Sequence, residues 1–203
     1  MNAFEEMQVK YFGKEALSRI QSTTVGIAGL GGLGSNCAAC LVRSGFRKFV
    51  LADFDKVEHG NLNRQFYFLD QVEFNKTDCL KANLLRINPD LDITLVRQKI
   101  SVDNAAAVFA DCGVVVEAFD RAESKRFMAE VFLHSGKLLV SASGLAGWGD
   151  SDALCIRRIK DNFFLIGDSR SEATKALPPC APRVAIAAAK EADVILSWVL
   201  GQE

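Results

Sequence analysis

The chain has 203 residues, of which 49% are hydrophobic and 24% charged, and its formal net charge is −1. This composition is typical of a globular domain large enough to bury a core, and it excludes a disordered protein. The near-neutral charge lacks the excess of Lys and Arg on which phosphate neutralisation depends, so no nucleic-acid partner is expected.

The N-terminal residues and the cysteines indicate a cytoplasmic protein. The segment MNAFEEMQVKYFGKEAL is acidic and lacks the apolar core of a signal peptide. No segment approaches the roughly 20 apolar residues that span a bilayer, so no membrane partner is expected. The six cysteines do not form a disulfide framework in a chain of this length, and we expect thiols in a reducing compartment.

Short apolar runs alternate with segments of helical spacing along the first 142 residues. Strands are predicted at 24–29, 48–52, 92–96, 113–118 and 137–142. NKTDCLKANLLRINP predicts a helix that ends at the Asn-Pro pair, and AESKRFMAEVFLHS predicts another before Gly136. Such alternation favours a Rossmann-like, doubly wound α/β fold, with helices on both faces of a mostly parallel sheet.

The pattern changes after residue 150. DALCIRRI and NFFLIG predict a pair of antiparallel strands that extends the sheet, and SRSEATKALPPCAPR predicts an unstructured crossing. The segment from Val184 to Leu200 predicts a buried helix. No repeat or domain boundary interrupts the sequence, so residues 1–203 are predicted to form one domain.

A glycine-rich turn follows the first strand in VGIAGLGGLGSNC. Glycines lack a Cβ, so the backbone bends tightly and approaches a ligand closely at Gly29, Gly31, Gly32 and Gly34. Asp53 ends the second strand about 20 residues later, where a carboxylate accepts hydrogen bonds from a ribose. These features predict a nucleotide site and leave NAD, a flavin and ATP open.

Charged residues after Asp53 favour a triphosphate. DFDKVEHGNLNRQFYF places Asn61, Arg64 and Gln65 beyond the strand end, and Lys76 begins the next helix. Arg and Lys neutralise phosphate charge, which a hydride-transfer site does not need. ATP is therefore favoured, and an NAD-linked oxidoreductase is the alternative from a different class.

In these residues the chain resembles the ThiF/MoeB/HesA family, which shares its adenylation fold with ubiquitin-activating enzymes. The resemblance rests on GLGGLGS, DFDKVEHGNLNRQ, Lys76 ahead of LLRINP, and VVVEAFD, in that order. It covers about residues 10–150 and extends more loosely to the end of the chain. By size the chain looks most like a compact ThiF-like protein of thiamine biosynthesis. The fold is thereby expected to be a ThiF-type adenylation domain.

The resemblance implies a reaction and its partners. Mg-ATP would adenylate the C-terminal glycine carboxylate of a small ubiquitin-like sulfur carrier, ThiS in thiamine synthesis, with release of pyrophosphate. A sulfur donor protein would then supply the sulfur, and relatives of this family are commonly homodimers. Activation of a molybdopterin sulfur carrier and ring-forming dehydration of a modified tRNA base are alternatives within the same chemistry.

The resemblance also assigns residues. Asp53 would hold the ribose, Arg64 and Lys76 would neutralise the phosphates, and Asp120 would hold Mg. Because a carboxylate attacks a phosphate, catalysis would rest on positioning and charge neutralisation. The residues implied to bind the nucleotide are Gly29, Gly31, Gly32, Gly34, Asp53, Asp55, Asn61, Arg64, Gln65 and Lys76.

Three features depart from the family pattern. MNAFEEMQVKYFG has no arginine where relatives carry one that reaches the partner subunit's site, which favours a non-catalytic adaptor as an alternative. Arg121 and Lys125 follow Asp120 where relatives often carry Asn and Arg. The only Cys-x-x-Cys is Cys37 with Cys40, half of the ligands that a structural zinc needs, so no zinc site is predicted.

Cys180 stands on the Pro-rich crossing just before the last helix. The resemblance places there a cysteine that forms a covalent link to the carrier in ThiF and ubiquitin-activating enzymes. A thiolate near a helix N-terminus gains reactivity from the helix dipole. The carrier-linking thiol and an inert loop cysteine are both open interpretations.

Overall fold

The computed structural model describes residues 1–201 of the chain. The helices are α1 (Ala3–Phe12), α2 (Lys14–Ser22), α3 (Gly32–Arg43), α4 (Lys76–Leu85), α5 (Ala105–Val108), α6 (Ala122–Phe132) and α7 (Ala181–Leu200). The strands are β1 (Thr24–Ala28), β2 (Lys48–Ala52), β3 (Asp92–Val96), β4 (Val114–Glu117), β5 (Leu138–Ala142), β6 (Cys155–Lys160) and β7 (Phe163–Gly167). The five strands predicted before residue 142 are confirmed, and their bounds agree to within one residue at each end.

The seven strands form one sheet in the order β3-β2-β1-β4-β5-β7-β6. Neighbours pair in parallel except β6 and β7, which pair antiparallel at one edge. This confirms the predicted doubly wound fold with an antiparallel C-terminal extension. The strand order reverses between β1 and β4, and a crevice for ligands opens at the carboxyl ends of strands at such a switch point.

Helices cover both faces of the sheet, and the central strands are buried on both sides. Alternate residues of β4 separate the two cores: Val114 and Val116 face the core beneath α3 and α7, whereas Val115 faces the core beneath α5 and α6. A strand buried on both faces needs apolar residues at successive positions. The continuous valine run of β4 meets that requirement.

The last helix begins earlier than the sequence predicts. α7 starts at Ala181 rather than Val184, so the predicted unstructured crossing is three residues too long. Pro182 lies in the first turn, where a missing N–H leaves no hydrogen bond unmade and the fixed φ suits a helix. α7 packs against α3 and β5, so its apolar face belongs to the core of this chain.

Two further differences concern helices. The segment predicted to be helical up to Ser135 ends at Phe132, whose carbonyl accepts the Ser135 hydroxyl at 2.7 Å before the chain turns at Gly136. α1 and α2 were not predicted, although α2 buries Leu17 and Ile20 at helical spacing. Within residues 1–201, no helix has the length and apolar character needed to cross a membrane.

Candidate nucleotide site

The glycine-rich turn joins β1 to α3 at the switch point of the sheet. A Cβ on Gly29, whose φ is +92°, would lie 2.9 Å from the Ala118 carbonyl oxygen. A Cβ on Gly34 would overlap the Gly29 carbonyl oxygen, and a Cβ on Gly32 would lie 2.8 Å from Val184. Folding therefore requires glycine at these three positions.

Gly31 is different, because its missing side chain leaves space. The nearest atom to a Cβ at this position would be Gln65 Nε2, at 3.9 Å. Gln65 Oε1 is buried without a hydrogen-bond partner among residues 1–201. Gly31 is also the N-cap of α3, where free backbone N–H groups favour an anion. The open space, the unpaired acceptor and the helix N-terminus together fit a phosphorylated ligand with donor groups.

These two kinds of glycine predict different mutant behaviour. Gly34→Ala is expected to destabilise the fold by about 2–3 kcal/mol, because the backbone oxygen that meets the new methyl group cannot move aside. Gly31→Ala is expected to change the unfolding free energy by less than about 1 kcal/mol and to weaken ATP binding about tenfold. Thermal melting and calorimetric ATP titration measure the two effects. An unchanged ATP affinity in Gly31→Ala would contradict the assignment of this space to the nucleotide.

Asp53 and Tyr67 hold Leu30 at the centre of the turn. The Leu30 N–H donates to Asp53 Oδ2 at 2.7 Å, and the Tyr67 hydroxyl donates to the Leu30 carbonyl at 2.8 Å. The second carboxylate oxygen of Asp53 accepts the Asp55 N–H at 2.8 Å. Burial raises the pKa of Asp53, and both N–H groups and the Lys76 ammonium oppose that rise. Asp53 thus shapes the turn and keeps a second lone pair on each oxygen for a ribose.

Lys76 begins α4, as predicted, and its side chain is buried. The residue is 6% exposed, and its Nζ lies 3.1 Å from Asp55 Oδ2. The Lys76 N–H also donates to the Asp55 carbonyl at 3.0 Å. A buried ammonium is costly unless a counter-charge is near, and the half-exposed Asp55 carboxylate supplies it. The buried ammonium therefore lies beside the half-exposed Asp55 carboxylate, at the carboxyl edge of the sheet.

Asn61 and Arg64 lie on the segment that follows β2. The Asn61 side-chain oxygen accepts the Glu58 N–H at 3.1 Å, so this amide serves a local cap. Arg64 lies with its methylene groups against Gly32 and donates to the Asn63 side chain at 2.7 Å. Within residues 1–201, its guanidinium donates to neutral acceptors only, and a phosphate would accept a stronger, charged hydrogen bond.

Three residues that the sequence analysis missed join this segment to α3 and to the glycine-rich turn before it. The Phe66 N–H donates to Ser35 Oγ at 3.0 Å, and Asn36 Nδ2 donates to the Arg64 carbonyl at 2.9 Å. Tyr67 makes the third link through Leu30. The sequence offers one indication of these links, which is the presence of polar side chains in otherwise apolar segments. These are the Ser-Asn pair after the glycines and the tyrosine of NRQFYF. Their partners become visible only when the two segments meet.

Asp120 lies on the turn that follows β4, beside the glycine-rich turn. β4 ends at Glu117, and Asp120 is exposed three residues later. Across residues 1–201, no hydrogen bond or ion pair holds the Asp120 carboxylate. Free carboxylate oxygens are the ligands that Mg²⁺ prefers, so the donor chemistry at this position fits Mg.

Cys180 is the N-cap of α7 and is half-buried. Its Sγ lies 3.6 Å from the Pro178 carbonyl oxygen. Val184, one helical turn later, approaches Gly32, so the start of α7 lies beside the glycine-rich turn. The prediction from sequence placed this thiol before the last helix, and the fold brings that helix end to the edge of the nucleotide site.

Cys37 and Cys40 lie on α3 within the larger core. Burial raises the pKa of both thiols. Within the part of the chain that the structure describes, no three His, Cys, Asp or Glu side chains cluster as metal ligands would. Packing accounts for both cysteines.

The fold and the site define a Rossmann-like α/β protein whose ligand site lies at the switch point of its sheet. The sequence matches the ThiF family over residues 5–197. The chain therefore belongs to the ThiF family, as the motifs indicated.

Two of the curated relatives and one of the solved structures that resemble the chain illustrate this membership. The chain is 33% identical over 141 residues to tRNA threonylcarbamoyladenosine dehydratase of Bacillus subtilis, and the aligned region covers 68% of this chain and 55% of that protein. It is 31% identical over 142 residues to adenylyltransferase and sulfurtransferase UBA4 of Candida glabrata, covering 70% of this chain and 33% of that protein. The chain thus spans about half or less of the length of these relatives.

The structural relative is tRNA N6-threonylcarbamoyladenosine dehydratase, TcdA, of E. coli, solved in complex with AMP. Its TM-score to the present chain is 0.87 at 19% identity, and the match covers 97% of this chain and 94% of that one. The same protein has also been solved with ATP. At this identity, the likeness concerns the fold.

Proposed function

We propose that this protein uses ATP to adenylate the C-terminal glycine carboxylate of a ubiquitin-like, ThiS-type sulfur carrier in thiamine thiazole biosynthesis. A carboxylate oxygen attacks the α-phosphorus of ATP, the bond to the β-phosphate oxygen breaks, and pyrophosphate leaves as the acyl-adenylate forms. Membership of the ThiF family supports this reaction. So does the similarity to UBA4, whose name describes an adenylyltransferase and sulfurtransferase.

The observation that carries the proposal is the buried Lys76 ammonium. It lies at the carboxyl edge of the sheet, and its counter-ion, Asp55, is half exposed. A site for hydride transfer has no need of this cation, whereas attack of one anion on another requires preorganised positive charge. The glycine-rich turn supplies backbone N–H groups at the same edge.

The proposed roles follow the positions in the fold. Asp53 would hold the ribose, and Arg64 and Lys76 would bind the phosphates. Asp120 would hold Mg, which would neutralise the charge of the departing pyrophosphate. The attacking carboxylate is already ionised at neutral pH, so no general base is needed. The remaining residues proposed at the nucleotide are Gly29, Gly31, Gly32, Gly34, Asp55, Asn61 and Gln65.

A second candidate is dehydration of a threonylcarbamoyl-modified tRNA base. The similarity to the B. subtilis dehydratase and the TcdA fold favour it. The modified base carries a free carboxylate, so activation by ATP would use the same site. Two cations, Arg157 and Lys160, lie on the exposed edge strand β6 and would provide phosphate-binding groups that the overall charge does not reveal.

The test is ATP–pyrophosphate exchange with three acceptors in parallel. The acceptors are a ThiS-like protein ending in Gly-Gly, a molybdopterin sulfur carrier, and tRNA bearing threonylcarbamoyladenosine. A ThiS-like protein without its last glycine is the matched control. Exchange that requires the intact ThiS-like tail supports the proposal.

Each other outcome has a definite meaning. Exchange with the molybdopterin carrier alone replaces the named carrier and keeps the reaction. Exchange with the tRNA alone establishes the second candidate. If ATP binds and no acceptor supports exchange, the proposed reaction is refuted, and the missing N-terminal arginine then favours a non-catalytic adaptor.

Cys180 is proposed as the thiol that links to the carrier. Its thiolate attacks the acyl-adenylate carbonyl, a thioester forms and AMP leaves. Cys180→Ser is expected to leave exchange within about twofold of wild type and to abolish a covalent adduct that thiols reverse. Mass spectrometry measures the adduct, and Cys155→Ser, which removes another accessible thiol, is the control. Adduct formation at the wild-type level in Cys180→Ser would contradict this role.

We further propose a cytoplasmic homodimer that receives sulfur from a separate donor protein. The segment after β2 exposes large apolar side chains beside the site, Phe68, Leu69 and Phe74, which favours a protein partner there. Light scattering of the purified protein measures the oligomeric state. A monomer at micromolar concentration would contradict the dimer.

A further inference from the structure

The last residue of β4 is a buried glutamate after three valines. Glu117 is 1% exposed, and a carboxylate in such a position is costly unless it is paired and hydrogen-bonded. Its register partner on β5, Ser141, donates a hydrogen bond to Oε2. The Lys125 ammonium of α6 lies 3.3 and 3.2 Å from the two oxygens. Groups from two other elements, β5 and α6, therefore hold this carboxylate.

The same carboxylate closes the turn between β4 and α6. The Phe119 N–H, two residues along the chain, donates to Glu117 Oε1 at 2.8 Å. The Ala118 N–H between them donates to the Ala28 carbonyl at 2.9 Å, at the end of β1. The Ala118 carbonyl oxygen in turn limits the space at Gly29. The turn between β4 and α6 is thus fixed on one side against the glycine-rich turn.

Asp120 occupies the exposed end of this turn, one residue after Phe119. The next residue, Arg121, is the N-cap of α6, and Lys125 lies in the first part of that helix. The ion pair between Lys125 and Glu117 therefore holds the start of α6 against the end of β4. Both sides of Asp120 are anchored, although its own carboxylate is free to bind a ligand.

We propose that Glu117 is a positioning residue that sets the place of Asp120 relative to the glycine-rich turn. The inference rests on the proposed function, because it takes Asp120 as the carboxylate for the Mg of ATP. Ser141 and Lys125 hold Glu117, Glu117 holds the turn, and the turn presents Asp120. Residues that orient a metal ligand from behind typically change metal affinity by 10–100-fold when substituted.

Glu117→Gln is the informative variant, because the amide keeps the size of the side chain. Its oxygen still accepts the Phe119 N–H, and its NH₂ group donates to Ser141, but the attraction to Lys125 is lost. Glu130→Gln, on the exposed surface of the same helix, is the matched control. ATP binding is measured by calorimetry over a series of Mg²⁺ concentrations, and exchange kinetics give kcat and KM separately.

The expected result is a rise of about tenfold in the Mg²⁺ concentration needed for half-maximal ATP binding. kcat falls with it, the KM for ATP at saturating Mg²⁺ is little changed, and Glu130→Gln behaves as wild type. A purely structural glutamate would lower the melting temperature and leave the Mg²⁺ dependence unchanged. That result in folded Glu117→Gln overturns the inference.

Two variants that keep the Glu117 carboxylate test the inference if Glu117→Gln does not fold. Ser141→Ala removes one hydrogen bond to the carboxylate, and Lys125→Met removes its ion pair. Wild-type Mg²⁺ dependence in both overturns the inference, and a rise in either supports it. The calorimetric readout needs no acceptor, so failure of exchange with every carrier refutes the proposed reaction without deciding the role of Glu117. ATP binding by the wild type that is independent of Mg²⁺ refutes the role directly.

Discussion

Lys76→Met is expected to lower the rate of ATP–pyrophosphate exchange by a factor of about 10²–10³. The substitution keeps an unbranched chain of similar length and removes the buried charge at the carboxyl edge of the sheet. Attack of the acceptor carboxylate builds negative charge on the phosphates, and the ammonium is already in place to stabilise it. The loss is therefore expected mainly in kcat, with a smaller effect on ATP affinity measured by calorimetry.

Folding is expected to tolerate this substitution. The side chain of Asp55, the partner of Lys76, is 51% exposed, so water solvates the carboxylate that the variant leaves unpaired. Lys81→Met, on the same helix and outside the proposed site, is the matched control and should exchange at the wild-type rate. If both variants exchange within about threefold of wild type, Lys76 has no catalytic role, and the observation that carries the proposed function is lost.

The architecture was predictable from the sequence because each strand of the parallel sheet is a short apolar run bounded by glycine or polar residues. β4 is the clearest example, since a run of valines is stable where both of its faces are buried, as they are in a central strand of a parallel sheet. The start of α7 was harder to place. Proline usually ends a helix, and only the context of a first turn makes Pro182 part of one.

The site was partly predictable, and the limit is a physical one. Short sequence motifs predict site residues that act through their own backbone, such as the glycines. They also predict residues that follow the end of a strand, such as Asp53 and Lys76. They cannot indicate Tyr67 or Glu117, whose roles depend on partners from other segments. Gly31 shows a related limit, because the motif treats its glycines alike whereas only this one leaves open space.

Glu191 on α7 is expected to make the protein less stable as the pH rises. The side chain is fully buried, and in the described part of the chain neither carboxylate oxygen has a hydrogen-bond partner. Burial raises the pKa of Glu191 from 4.5 to about 8; the Lys125 ammonium of α6 opposes this rise, and the Glu117 carboxylate of β4 adds to it. Cys37 of α3 also faces this group, and burial keeps its thiol neutral by raising its own pKa.

The direction in which stability changes with pH follows from proton binding. Between pH 4.5 and about 8 the folded protein holds a proton on Glu191 that the unfolded chain releases, so each rise in pH favours unfolding. The contribution is fully present below pH 4.5 and is lost at a rate of about 1.4 kcal/mol per pH unit through this window. Groups with lowered pKa, such as Asp168, act in the opposite direction at lower pH.

Glu191→Gln is expected to remove this slope, because the amide is neutral at every pH and occupies the same volume. Urea unfolding at half-unit steps from pH 5 to 9 measures it, with Asp193→Asn, on the exposed face of the same helix, as the control. The stability of the variant relative to wild type should increase from pH 5 to about pH 8 and then level off, whereas the control should keep the wild-type slope. Equal slopes in wild type and Glu191→Gln would mean that Glu191 is ionised in the folded protein. In that case the Lys125 ammonium would stabilise two buried carboxylates, Glu191 as well as Glu117.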